Sequence, residues 1–173
     1  MTLRWDRRAL LAAIGSIPMF LTACGFQPLY GIDRRAADIV VELGDIRIPE
    51  IEDRLGQLVR NELLDLVTPL GEPKPPRYVL RVDLKEQKEG LAIKRDATIT
   101  RFNLTLTAEY ELTDAVTRAR LNNGTVRATA AYNVVRSEFA NVIAGRDAEV
   151  RAALVVAEEI KTRLSIYFSR ASR

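Results

Sequence analysis

Hydrophobic residues recur along this chain with two different spacings, and the changes of spacing divide it into elements. The clearest run is Phe102, Leu104, Leu106, Ala108, Tyr110 and Leu112 alternating with Asn103, Thr105, Thr107, Glu109 and Glu111, a period of two over eleven residues. That is a strand with one buried and one wetted face. Tyr78, Leu80, Val82 and Leu84 alternate in the same way, as do Val126, Ala128, Ala130, Tyr132 and Val134. Glu89-Gly90 reads as a turn, after which Leu91–Asp96 could continue the sheet. Asn123-Gly124, a strong turn pair, predicts a long hairpin between the second and third of these strands. Upstream, Ile39, Val41, Leu43, Ile46 and Ile48 alternate with an interruption at Gly44-Asp45, which predicts a short strand with a kink or bulge.

Two segments switch to steps of three and four. Pro49 suits a first helical turn, and Glu50, Glu52 and Asp53 place negative charge at the positive end of the dipole. Ile51, Leu55, Leu58, Val59, Leu63, Leu66 and Val67 then form one stripe, which should end near Thr68 because Pro69 follows. A second helix is predicted from about Asp147, with Ala148, Ala152, Val155, Val156, Ile160, Leu164, Tyr167 and Phe168 on one face. Ser137–Ala144 reads as a separate helical turn before Gly145. One-sided strands and one-striped helices must cover each other. The expected fold class is therefore α+β: a two-layer sandwich with two helices packed on one face of a roughly four-stranded sheet.

The first two dozen residues follow neither spacing. Arg4, Arg7 and Arg8 precede a mostly apolar run, Ala9–Ala23, of 15 residues. A membrane-spanning helix needs roughly 20, so the run reads as the apolar region of an export signal. It ends in Leu21-Thr22-Ala23-Cys24, a lipobox, in which the thiol receives a diacylglycerol group and the chain is cut just before it. Arg7-Arg8 leaves both general secretory and twin-arginine export open. The expected organisation is a cleaved signal peptide over 1–23, a lipid-anchored extended leader over 24–35 and a single α+β domain over 36–173.

Composition narrows the chemistry. Cys24 is the only cysteine and there is no histidine, so intramolecular disulfides, Cys-His pairs and histidine-based metal sites are excluded. Without residues 1–23, which hold three arginines and one aspartate, the formal net charge falls from +3 to +1. A near-neutral domain lacks the concentrated basic face that nonspecific nucleic-acid binding requires. There is no Gly-rich phosphate loop, no Gly-x-Ser-x-Gly elbow and no calcium-loop spacing. The carboxylates, Glu158-Glu159 included, follow solvated helix faces. These features indicate a binding or assembly protein without cofactor rather than an enzyme. Lys94, Arg95, Arg118 and Arg120, near predicted strand ends, are candidate contacts for phosphate or carboxylate; ordinary solubilising charge is the alternative for each.

Cys24-Gly25-Phe26-Gln27-Pro28-Leu29-Tyr30-Gly31 resembles the start of mature lipopolysaccharide-assembly lipoproteins of the LptE family, in the form found in Alphaproteobacteria. Asp53–Leu63, Ala130-Ala131-Tyr132-Asn133-Val134 and the Asp147–Leu164 segment extend the resemblance over most of the chain. It implies two helices on a four-stranded sheet. It also implies a lipoprotein of the outer membrane's periplasmic face that plugs and helps assemble the β-barrel LptD and assists lipopolysaccharide delivery to the cell surface. Gly25 after the anchor is consistent with outer-membrane sorting. The family's lipopolysaccharide-contacting basic residues do not map onto this sequence one by one. The four basic candidates therefore stand on their chemistry alone. An auxiliary periplasmic lipoprotein of another lipid-transport system is the alternative.

Overall fold

The computed structural model describes residues 34–93 and 99–171. In chain order its elements are α1 (Arg34–Gly44), β1 (Ile46–Arg47), α2 (Asp53–Val67), β2 (Tyr78–Ile93), β3 (Ile99–Asp114), β4 (Arg120–Asn133) and α3 (Glu138–Ala171). The sheet runs in the order β1-β2-β3-β4. β1 is parallel to β2, and the three long strands form an antiparallel meander. The alternation seen in the sequence is the alternation of burial. Leu80, Leu104, Leu106, Ala108 and Leu112 are fully buried, and Tyr78, Val82, Tyr110, Val126, Ala128 and Ala130 nearly so. Register places these residues side by side, Leu80 opposite Leu112 and Ala108 opposite Val126. They form one cluster with Val59, Leu63 and Val67 of α2 and with Ala152, Val156, Ile160 and Leu164 of α3. The result is the expected two-layer α+β arrangement, helices on one face and a polar face left open.

Five local expectations are corrected. Residues 39–43, read as a strand, belong to α1: Ile39 and Leu43 are buried, but Val40 and Val41 between them are exposed. That is a four-residue step, which Val41 disguised as alternation. Only Ile46 and Arg47 pair with β2. α2 begins at Asp53, not Pro49. The carbonyls of Ile48 and Pro49 both accept from Arg60 Nε, at 3.0 and 3.3 Å, which ties the preceding segment to the side of the helix. Ile51 then folds back over the first turn. A Cβ on Gly56 would lie 2.7 Å from its Cγ2 and 2.9 Å from its backbone, so only glycine fits there.

Asn123-Gly124 lies inside β4, and Glu89-Gly90 inside β2 with a bulge after it. Gly124 faces Tyr110, whose hydroxyl would be 2.9 Å from an added Cβ. The glycine makes room for a ring instead of making a turn. The actual turn is started by Asp114, whose Oδ1 accepts from the N–H groups of Val116 (2.9 Å) and Thr117 (2.7 Å). Those hydrogen bonds, Thr117 first, hold its carboxyl below the usual carboxylate range. Finally, α3 is one helix of 34 residues, running through Gly145. Ser137 Oγ accepts from Ala140 N–H at its start. Its buried face includes Ala148, Ala153 and Ala157, whereas Val155 is 51% exposed.

α1 is fastened to the sheet by Glu42, which accepts from the Tyr78 hydroxyl at 2.6 Å and from Arg77 at 2.9 Å. Burial first, and then the Glu42 carboxylate, push the Tyr78 hydroxyl well above its ordinary value of 10.0. Below about pH 10 the group is protonated in both folded and unfolded chains, and its contribution to stability is complete. At higher pH the unfolded tyrosine ionises while the folded one resists, so stability falls. Tyr78→Phe should therefore flatten the loss of stability between about pH 10 and 11.5, read by denaturant melts across that range. An unchanged slope would contradict this.

Candidate functional site

The polar sheet face carries Arg81, Asp83, Lys85, Gln87 and Glu89 from β2. Beside them lie Thr105, Thr107, Glu109 and Glu111 from β3, and Thr125, Arg127 and Thr129 from β4, all exposed or half-buried. Thr105 and Thr129 hydroxyls meet across the strands at 3.3 Å. No element among the described residues covers this face.

The two ends of the sheet differ. At the end where β2 passes to β3, Phe102 of β3 stacks on its cross-strand partner Tyr132 of β4, ring centroids 5.7 Å apart and 17° from parallel. With Val134, Val142 and Gly145 these rings line a cleft of about 440 Å³. Arg54, Lys88 and Arg146 bring positive charge to it, and Glu138 and Glu149 negative charge. Glu149, mostly buried, pairs with Arg54 and with Lys88 Nζ (3.1 Å), and Lys88 Nζ also pairs with Glu86 (3.0 Å), so these two cations are already met by two carboxylates. Arg146 has no ion pair among the described residues. Beside the cleft, Phe139 is 76% exposed, and Val135, Val142 and Ile143 are also exposed. The loop into α3 is closed by Asn141, which accepts from Val135 N–H (2.8 Å) and donates to its carbonyl (2.9 Å). Apolar walls next to a free guanidinium suit an amphiphile with an anionic head.

The sequence candidates do not converge on one site. Lys94 and Arg95 lie outside the described residues, in the connection between β2 and β3, whose flanking strand ends bound the cleft end of the sheet. Arg118 and Arg120 lie at the opposite end, in and beside the β3–β4 turn. Arg118 is exposed in a left-handed backbone conformation (φ 59°), and Arg120 Nε pairs with Glu111 at 3.1 Å. Sixteen residues of β3 separate the two ends, about 50 Å at the rise of a strand. Cys24 lies outside the described residues. Sequence reasoning missed the Phe102–Tyr132 stack because cross-strand partners depend on register. It missed Phe139, Val142 and Ile143 because the segment was read as a separate turn. Their signal was present, since they fall off the face that holds Ala148 and Ala152.

No cluster of possible metal ligands occurs among the described residues, and no described helix is long and apolar enough to cross a membrane. Fold and site together define a two-layer α+β domain with an open polar sheet face and an apolar cleft at one end. A family model described as LptE, lipopolysaccharide-assembly, matches residues 39–164, and the chain belongs to that family. Its part in the cell envelope is that of a lipopolysaccharide-assembly lipoprotein, not an enzyme. Among solved structures, a lipoprotein of Caulobacter crescentus is similar over 77% of this chain and 97% of its own, at 25% identity and a TM-score of 0.66. Rare lipoprotein B of Shewanella oneidensis shares the fold over 74% of this chain and 97% of its own, at 14% identity and a TM-score of 0.55. Lipoprotein B of Nitrosomonas europaea does so over 72% and 82%, also at 14% identity and a TM-score of 0.55. No curated protein matches the chain.

Proposed function

We propose that the chain is an outer-membrane lipoprotein, held on the periplasmic face by acyl chains on Cys24. In this reading it plugs and helps assemble an LptD β-barrel and assists the delivery of lipopolysaccharide to the cell surface. The observation that carries the reading is the uncovered polar sheet face on a domain of the LptE family. The lumen of a large membrane barrel is polar, and a plug needs a surface that tolerates it. The export signal ends at Ala23. Fully extended, the ten residues from Cys24 to Asp33 would span at most about 35 Å, which keeps the domain close to its membrane.

Lipopolysaccharide combines phosphate and acyl chains, the two features that the Phe102–Tyr132 cleft addresses with Arg146 and apolar walls. Lys94 and Arg95 lead into the same end of the sheet and should act with Arg146; Arg118 and Arg120 should not. Fluorescent lipopolysaccharide titrated into the full chain in detergent tests this by anisotropy. Arg146→Glu, and the Lys94→Glu/Arg95→Glu pair, should weaken binding by roughly fivefold, the size of a lost charge contact of about 1 kcal/mol. Arg120→Glu should leave it unchanged. Equal losses at both ends would contradict this placement.

A further inference from the structure

The two edges of the sheet are treated differently. Along β4 the outer edge is guarded by α3: Arg163 Nη1 donates to the Thr125 carbonyl at 3.1 Å and Arg151 Nη2 to the Ala131 carbonyl at 3.2 Å. Along β2 the outer edge is covered only at its start, where β1 pairs with Tyr78 and Val79 and the Tyr78 N–H donates to the Asp45 carbonyl at 3.1 Å. β1 stops there because Pro49 follows Ile48 and has no N–H to extend the ladder. Backbone groups alternate sides along a strand. Since Tyr78 points its N–H outward, and the Val79 carbonyl points toward β3, where it accepts from the Thr113 hydroxyl, the outward groups are those of Val82, Leu84, Glu86 and Lys88. Among the described residues nothing hydrogen-bonds to them. Natural sheets rarely leave a stretch of this length open, because such an edge recruits another strand.

A groove of about 760 Å³ runs beside this edge, between residues 50–56 and residues 82–86. Glu50, Glu52, Asp53 and Asp83 line it without an ion pair among the described residues, and the cation in its lining, Arg54, is paired with Glu149. We propose that the open edge of β2 is a docking site for an extended, basic polypeptide segment, which adds to the sheet as a further strand. Main-chain hydrogen bonds to Val82, Leu84, Glu86 and Lys88 supply the attachment, and the carboxylates select positive side chains. The inference does not depend on the barrel reading, so its failure would leave that reading standing.

The test uses the full chain in detergent and a ten-residue peptide alternating lysine and valine. Backbone amide shifts are recorded at both sheet edges. Shifts should be confined to the β2 edge from Val82 to Lys88. Glu86→Pro removes an outward N–H and leaves the β2–β3 ladder intact. It should weaken binding about tenfold, whereas Glu86→Gln should cost less than about threefold. The same peptide with alternate amides N-methylated should not bind to the unaltered protein. Four outcomes would overturn the proposal: no shift at this edge, equal binding of the N-methylated peptide, equal binding of a glutamate-valine peptide, or the same amides responding instead to anionic vesicles.

Discussion

Cys24→Ser should leave the chain as an uncut precursor without acyl chains. In a lipobox the thiolate is the nucleophile that takes up the diacylglycerol group, and a serine hydroxyl at neutral pH is a far weaker one. The cut before residue 24 follows that modification, so both steps fail together. Each buried CH₂ of an acyl chain contributes about 0.8 kcal/mol to membrane attachment, and stable anchoring takes more than one chain. Loss of the cysteine therefore removes the whole anchor. The retained apolar run would still hold the precursor near a membrane, so fractionation alone does not discriminate. Radiolabelled palmitate and the mass of the product do. The variant should incorporate no label and keep residues 1–23. Normal cleavage and labelling in that variant would refute the anchor.

Leu112→Ala should cost about 2–5 kcal/mol of stability. Leu112 is fully buried in the central strand directly opposite Leu80, itself fully buried, and both belong to the main cluster. The loss combines the missing apolar contact with the cavity left behind. Domains are stable by only about 5–15 kcal/mol, so a large part of the total would go. Val155→Ser is the counterpart. Helical periodicity places Val155 with the core residues of α3, but it is 51% exposed, and the change should stay within about 0.5 kcal/mol. Denaturant unfolding of both variants reads the difference. A cost below about 1 kcal/mol for Leu112→Ala, or a large one for Val155→Ser, would contradict this core.

What was legible in the sequence was what a single element encodes about its own burial. Phe102–Leu112 announced a two-sided strand because each residue reports its own face, and the α2 stripe did the same at a different period. What was not legible depends on neighbours. Asn123-Gly124 has the composition of a turn, and only its register against Tyr110 shows why the glycine is needed in a strand. Pro49 has the credentials of a helix start, and the reach of Arg60 to the preceding carbonyls is what delays it. In residues 39–43 the exposed Val41, midway between the buried Ile39 and Leu43, supplied a false period of two. The cleft at one end of the sheet was not legible: the aromatic stack and the apolar start of α3 arise only when β3, β4 and α3 come together, and Lys94 and Arg95 stand out in the sequence as charge alone. Lys94-Arg95 follow the end of β2 and Arg118 with Arg120 lie at the far end of β3, a separation that single-strand alternation does not reveal.

The central claim is that this lipoprotein works inside an outer-membrane barrel. Affinity purification of the tagged full chain from native membranes, followed by identification of what remains bound, tests it most directly. The account predicts a large outer-membrane β-barrel recovered in stable, near-equal amount with the chain. Recovery of the chain with inner-membrane transport components and no barrel would contradict it.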